Sequence, residues 1–233
     1  MSSNTNTIIP YKPRNKPDLI VFDIDQTLIR STFDHCPLGP PNSWTTKKFR
    51  TEEYKRIKGK LKMYEDIPEI FRIIDEVMNI PIGIASMGGQ TRKGFKILEI
   101  LGLKKHILDD SFIEIHRGSK EVHFRNLKKA YDTYFSDTDS SVEKRAPLDY
   151  KKIIFFDDRN FNLEGLGTLG VHGFNCRERG VTLENFYWML EKYDFDIEND
   201  VKYPDNVVWE DKRDAKGSYR KPLVRKQLKN DGV

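Results

Sequence analysis

The chain is expected to fold as an α/β protein, a three-layer arrangement with a central, mostly parallel sheet and helices on both faces. Two observations predict this. Short continuous apolar runs, such as Leu19–Phe22 and "IIFF" at 153–156, alternate with stretches of helical spacing, which is the pattern of buried parallel strands joined by crossover helices. Two of these runs also close on paired carboxylates, Asp23 with Asp25 and Asp157 with Asp158. Open parallel sheets bind their ligands at such strand ends.

The elements follow in order. Residues 1–17 are polar, contain Pro10, Pro13 and Pro17, and read as a flexible arm. Leu19–Phe22 is the first strand. Residues 31–62 hold the turn cluster "CPLGPP" and a long polar stretch, and suit a small lid of irregular or hairpin structure. Ile70, Phe71, Ile73, Ile74, Val77 and Met78 keep the i, i+3, i+4, i+7 spacing of a helix, with Pro68 in its first turn. "PIGIAS" is a strand ending at Ser86. Residues 91–101 form a helix with Phe95, Leu98 and Leu101 on one face and Gly102 as its stop.

"SFIEI" is a third strand, and Ser119 suits the cap of a helix running to about Tyr134. "SDTDSSVEKRAPLD" is a surface loop. "KKIIFFDD" is the fourth strand, "EGLGTLG" leads into the fifth, "VHGFNC", and Thr182 caps the helix "LENFYWMLEKY". Periodicity fades after about Phe195. The domain is therefore expected over residues 18–195, with 196–233 as a polar, basic tail.

Composition narrows the class. The 233 residues are 37% hydrophobic and 33% charged, enough for one core with polar extensions. Between Lys212 and Lys229 eight Lys/Arg face one Asp, so this stretch carries +7 of a net +4 and leaves −3 for the remainder. The basic balance belongs to the tail, which leaves nucleic acid as a partner for the tail alone. No apolar run reaches the roughly 18–20 residues of a membrane span. With only Cys36 and Cys176, a disulfide framework is not expected. A soluble cytoplasmic monomer is expected, with the nucleus as the alternative compartment.

The strand ends carry the chemistry. Asp23, Asp25, Ser86, Lys120, Asp157 and Asp158 all follow strands or open the next helix, and converge on one edge of the sheet. Carboxylates crowded in a low dielectric repel, and a hard cation relieves this. Oxygen-only donors without His or Cys fit Mg²⁺. A carboxylate is a nucleophile toward phosphorus, a second one moves protons, and Mg²⁺ with a lysine neutralises phosphoryl oxygens. The histidines show no metal spacing, and His123 is expected on a helix surface. A C-x₅-R phosphatase loop is excluded, because Asn42 and Thr182 stand where its arginine is needed.

"FDIDQT" resembles the DxDxT/V signature of the haloacid-dehalogenase-like phosphohydrolases. "IGIAS", "GSK" and "IIFFDD" follow in that superfamily's order. "MYEDIPEI", "RGSKEVHFRNL" and "IFFDDRNFNLEGLGTLGV" are similar to its small magnesium-dependent phosphatases, over about Asp18 to Tyr193. The resemblance implies a Rossmann-like fold with a minimal cap. It implies Asp23 as nucleophile and metal ligand, and Asp25 as general acid/base whose carbonyl meets Mg²⁺. Ser86 and the adjoining Met87 belong to the phosphate-binding segment. Lys120 would hold nucleophile and phosphate, and Asp157 would ligate the metal. Thr27 would brace the turn, and Asp158 would stand behind the ligands.

One segment departs from the pattern. Relatives follow the motif-two serine with Arg and Thr, whereas "SMGGQTR" places Met87, Gly88 and Gly89 there. Arg92 is the candidate replacement for the missing arginine. The expected function is Mg²⁺-dependent hydrolysis of phosphomonoesters through an aspartyl-phosphate, with phosphotyrosine or sugar phosphates as substrates. The alternatives are a nucleic-acid-end phosphatase, a phosphotransferase, or a non-catalytic phosphoacceptor. Receiver domains also combine Asp, Ser/Thr and Lys, but lack an acid/base Asp two residues after the phosphorylated one, the place Asp25 holds.

Overall fold

The computed structural model describes residues 12–36, 38–39, 41–44, 52, 54–136 and 144–208. The arm before residue 12, part of the loop at 136–149 and the basic tail from 209 lie outside these. Six strands form one sheet: β1 Leu19–Phe22, β2 Ile82–Ser86, β3 Ile113–Ile115, β4 Ile153–Asp157, β5 His172–Asn175 and β6 Val207–Val208. Their order is β3-β2-β1-β4-β5-β6, and every pairing is parallel. β1, β2, β4 and β5 are buried along their whole length, as apolar strands covered on both faces must be.

Alternation along the strands sorts the helices: α1 Tyr54–Leu61, α2 Ile67–Arg72, α3 Thr91–Leu101, α4 Lys120–Ser136, α5 Asn160–Gly167 and α6 Leu183–Glu198. Successive strand residues point to opposite faces. Phe22 packs on Phe71 of α2, Phe156 on Phe186 of α6, and Phe174 on Trp188 of α6. On the other face Phe155 meets Phe124 of α4. Gly83 and Gly173 thin that face, where an added Cβ would lie 3.4 Å from Leu127 of α4 and 3.1 Å from Leu163 of α5.

Several elements differ from the expectation. The helix starting near Pro68 widens into a π-helical turn at Ile73–Val77. The segment 31–62 contains α1, whose buried Ile57 and Leu61 hold it to the domain, and no hairpin is seen among its described residues. α5 was not expected from the sequence. The fold also runs past residue 195: α6 continues to Glu198, and β6 adds a sixth strand beside β5. At the other end, Arg14 and Asn15 donate backbone N–H to the Asp194 carboxylate at 2.8 and 2.6 Å. No helix among the described residues is long and apolar enough to cross a membrane.

Candidate active site

The strand order reverses direction at β1. The chain lays down β2 and β3 on one side of it and then returns to lay β4 on the other. This switch point opens a crevice at the C-terminal ends of β1 and β4. The register pairs Phe22 with Phe156, and Asp23 N donates to Phe156 O at 2.9 Å. Asp23 and Asp157 therefore leave adjacent strands at the same level.

Lys120, the first residue of α4, fills the space between them. Its Nζ lies 2.7 Å from Asp23 Oδ1 and 3.0 Å from Asp157 Oδ2, and it also donates to the Ala85 carbonyl. All three side chains are buried. Burial pushes the Asp23 carboxyl up to about 7; Lys120 opposes this, and Asp157 and Asp25 add to it. Burial disfavours the Lys120 charge, but Asp23 and Asp157 outweigh it and hold its pKa above the usual lysine value. Asp158 is partly buried and its carboxyl is raised, first by burial and then by Asp157. One lysine thus faces an excess of carboxylates.

The turn after β1 places Asp25. Ile24 O accepts from the N–H groups of Leu28 and Ile29 at 2.9 and 3.1 Å, and Gln26 adopts φ 56°. A left-handed non-glycine costs roughly 1–2 kcal/mol, offset here by Gln26 Nε2 donating to Arg30 O at 2.9 Å. Asp25 Oδ1 accepts from Phe33 N at 2.8 Å. Thr27 is buried, and its hydroxyl accepts from Cys176 Sγ at 3.4 Å while its carbonyl takes Val181 N at 3.2 Å. Ser86 is buried at the end of β2, and Met87 stands half-exposed beside it.

Residues outside the expected set also belong to this geometry. Asn162 of α5 donates to both oxygens of Asp157, and Arg159 N donates to Asp157 Oδ1 at 2.8 Å. An Asn four residues beyond a carboxylate pair was a weak signal that only the fold makes legible. Phe33 occupies the space over Gly88: a Cβ there would lie 1.9 Å from Phe33 Cζ. Two expectations change. His123 is fully buried, with Nε2 3.0 Å from His116 O, because α4 turns it toward the strand rather than toward solvent. Arg92 is exposed and lines a different groove with Trp44, Tyr54 and Phe95. Arg117 is the cation beside the motif-two glycines, its Nε 3.0 Å from where a Gly89 Cβ would sit. His106 lies with Asp75 and Glu76, bonded to Asp75 at 2.8 Å.

Residues 15–196 match the Acid Phosphatase family. The chain belongs to that family. Membership makes it a phosphatase of the hydrolase class. The resemblance drawn from the motifs also meets a relative, "Magnesium-dependent phosphatase 1" of Homo sapiens. It is 25% identical over 179 residues, covering 73% of this chain and 87% of that protein. Among solved structures, a HAD-superfamily hydrolase from Ehrlichia chaffeensis aligns at 16% identity over 79% of this chain and 99% of that one, with a TM-score of 0.46. A HAD hydrolase of family IA from Entamoeba histolytica aligns at 15% identity over 67% and 82%, with a TM-score of 0.43. The fold assignment for this family member rests on its own strand order and register.

The donor set suits a hard divalent cation. Every candidate ligand is an oxygen, and two buried carboxylates, Asp23 and Asp157, face the single buried ammonium of Lys120.

Proposed function

We propose that this chain is a Mg²⁺-dependent phosphomonoesterase that works through a phosphorylated Asp23. The observation that carries the reading is Lys120 held between Asp23 and Asp157 at the sheet's switch point. That is the charge arrangement a transferring phosphoryl group requires. Asp23, Asp157 and the Asp25 carbonyl would hold the metal, with Asp158 behind them. When bound, Mg²⁺ supplies positive charge to the phosphoryl oxygens.

The residues divide the work. An Asp23 oxygen attacks phosphorus, and the ester P–O bond breaks with its electron pair on the leaving oxygen. The Asp25 carboxyl gives that oxygen its proton. Water then attacks the phosphorus, the Asp25 carboxylate takes the proton, and the bond to Asp23 breaks to release phosphate. Lys120 keeps Asp23 in position and neutralises phosphoryl charge, and the Ser86 hydroxyl donates to a phosphoryl oxygen. The Phe33 N–H fixes the Asp25 carboxyl for both transfers.

The substrates are aryl phosphates such as phosphotyrosine, or sugar phosphates. The free, buried Cys36 and Cys176 suit a reducing, cytoplasmic setting. Hydrolysis of phenyl phosphate tests the reading. Asp23→Asn is expected to abolish it, and EDTA to do so until Mg²⁺ is restored. Turnover retained by Asp23→Asn would overturn the nucleophile assignment, and activity indifferent to EDTA would overturn the metal.

A further inference from the structure

Phe161 is 57% exposed and Met87 40% exposed. Scattered apolar side chains on a surface need no explanation. These two, however, line a single cleft of about 370 Å³ that Lys120 and Asn162 also line. That volume accommodates a ring-sized group.

The position of Phe161 follows from the support of Asp157. Its neighbour Asn162 is tied inward by two hydrogen bonds to that carboxylate. Its other neighbour, Asn160, accepts from Asn175 of β5. Successive helical residues are about 100° apart, so tying both neighbours leaves Phe161 on the free side of the first turn of α5. Arg159 stacks its guanidinium 6.0 Å from the ring centre. Met87 directly follows Ser86 at the end of β2. The cleft shares Lys120 with the Asp23–Asp157 pair and begins at the residue after Ser86, so it adjoins the place where a phosphoryl group would be held.

We infer that Phe161 and Met87 form an apolar wall that selects flat, apolar leaving groups over polyol ones. The inference rests on the phosphatase reading and decides between its two substrate classes: Ser119 and Glu121 also line the cleft, but against Phe161 and Met87 a polyol loses water with no hydrogen bond in return, whereas an aryl face packs there.

The test uses the full chain with Mg²⁺ and two non-hydrolysable probes, phenylphosphonate and hydroxymethylphosphonate, with binding read by calorimetry. Phenylphosphonate is expected to bind roughly tenfold more tightly, the size of one aromatic contact. Phe161→Ala should remove most of that preference and Phe161→Tyr should keep it, while Met87→Ser should reduce it. Equal affinities in the unaltered chain, or a preference that Phe161→Ala leaves intact, would overturn the wall. Phenyl phosphate turnover is measured alongside. Its absence would overturn the phosphatase reading alone, because the binding comparison does not depend on turnover.

Discussion

Asn162 donates its side-chain amide to both carboxylate oxygens of Asp157, at 2.9 and 3.0 Å. Arg159 N and Lys120 Nζ also donate to that carboxylate. Asp157 is therefore fixed in orientation toward Asp23 before any ligand arrives.

Removing that support is expected to weaken the metal rather than the chemistry. Groups that orient metal ligands change affinity or activity by roughly 10–100-fold when lost. For Asn162→Ala, the Mg²⁺ concentration giving half-maximal phenyl phosphate hydrolysis should rise within that range, with much of kcat recovered at saturation. Asn162→Asp should be worse, because it sets another carboxylate against Asp157. A Mg²⁺ titration of each variant reads this directly, and an unchanged midpoint would count against the role.

Gly88 explains part of the departure at "SMGG". A Cβ there would lie 1.9 Å from Cζ and 2.3 Å from Cε1 of the fully buried Phe33, whose N–H holds Asp25. Gly88→Ala is thus expected to cost about 1–3 kcal/mol of stability by overpacking and to lower turnover by displacing the Asp25 support. Adding Phe33→Leu should relieve part of the clash, so the double variant should be less destabilised than the sum of the singles. Additive losses in chemical denaturation would show that the two sites are uncoupled.

What the sequence revealed depended on how local each signal was. β1 and β4 were legible as apolar runs ending in carboxylates, and Asp23, Lys120 and Asp157 indeed meet. α3 was legible because its spacing ends at Gly102, which adopts φ 76°. α5 was not, since "NFNLEGLG" holds two glycines and barely separates apolar from polar faces, yet it brings Asn162 and Phe161 to the site. β6 is two residues long, too short for any period. The Phe33–Gly88 contact joins residues 55 positions apart, which only the fold brings together.

His123 makes stability depend on pH. Burial first, then His116 and Lys120, press its pKa down to about 4, against about 6.5 in an unfolded chain. Between those values the unfolded chain binds the extra proton, so the His123 contribution to stability rises with pH across this window, against the opposite contribution of Asp23, whose raised carboxyl keeps its proton in the folded chain. The contribution is fully present above about pH 6.5 and is lost as the pH falls toward 4. Thermal unfolding followed from pH 4 to 7 should show stability rising less, or falling more, with pH for His123→Gln than for the unaltered chain. Equal slopes would mean that other groups set the acid sensitivity.

The C-terminal boundary gives the last prediction. Asp196 is buried and bonded to Lys192 and to His172 of β5, the latter at 3.1 Å. Asn206 donates to the carbonyls of Gly167 and Val171 at 3.3 and 3.0 Å. Ending the chain at residue 195 removes one partner of a buried ion pair, which typically costs about 3–5 kcal/mol, and uncovers the edge of β5. Ending it after Val208 keeps every one of these contacts. The shorter chain is therefore expected to unfold at much lower denaturant concentration than the longer one, and to lose phenyl phosphate turnover relative to it. If the shorter chain matched the longer one, residues 196–208 would be an appendage, and the sixth strand would contribute nothing to holding Asp157 and β5 in place.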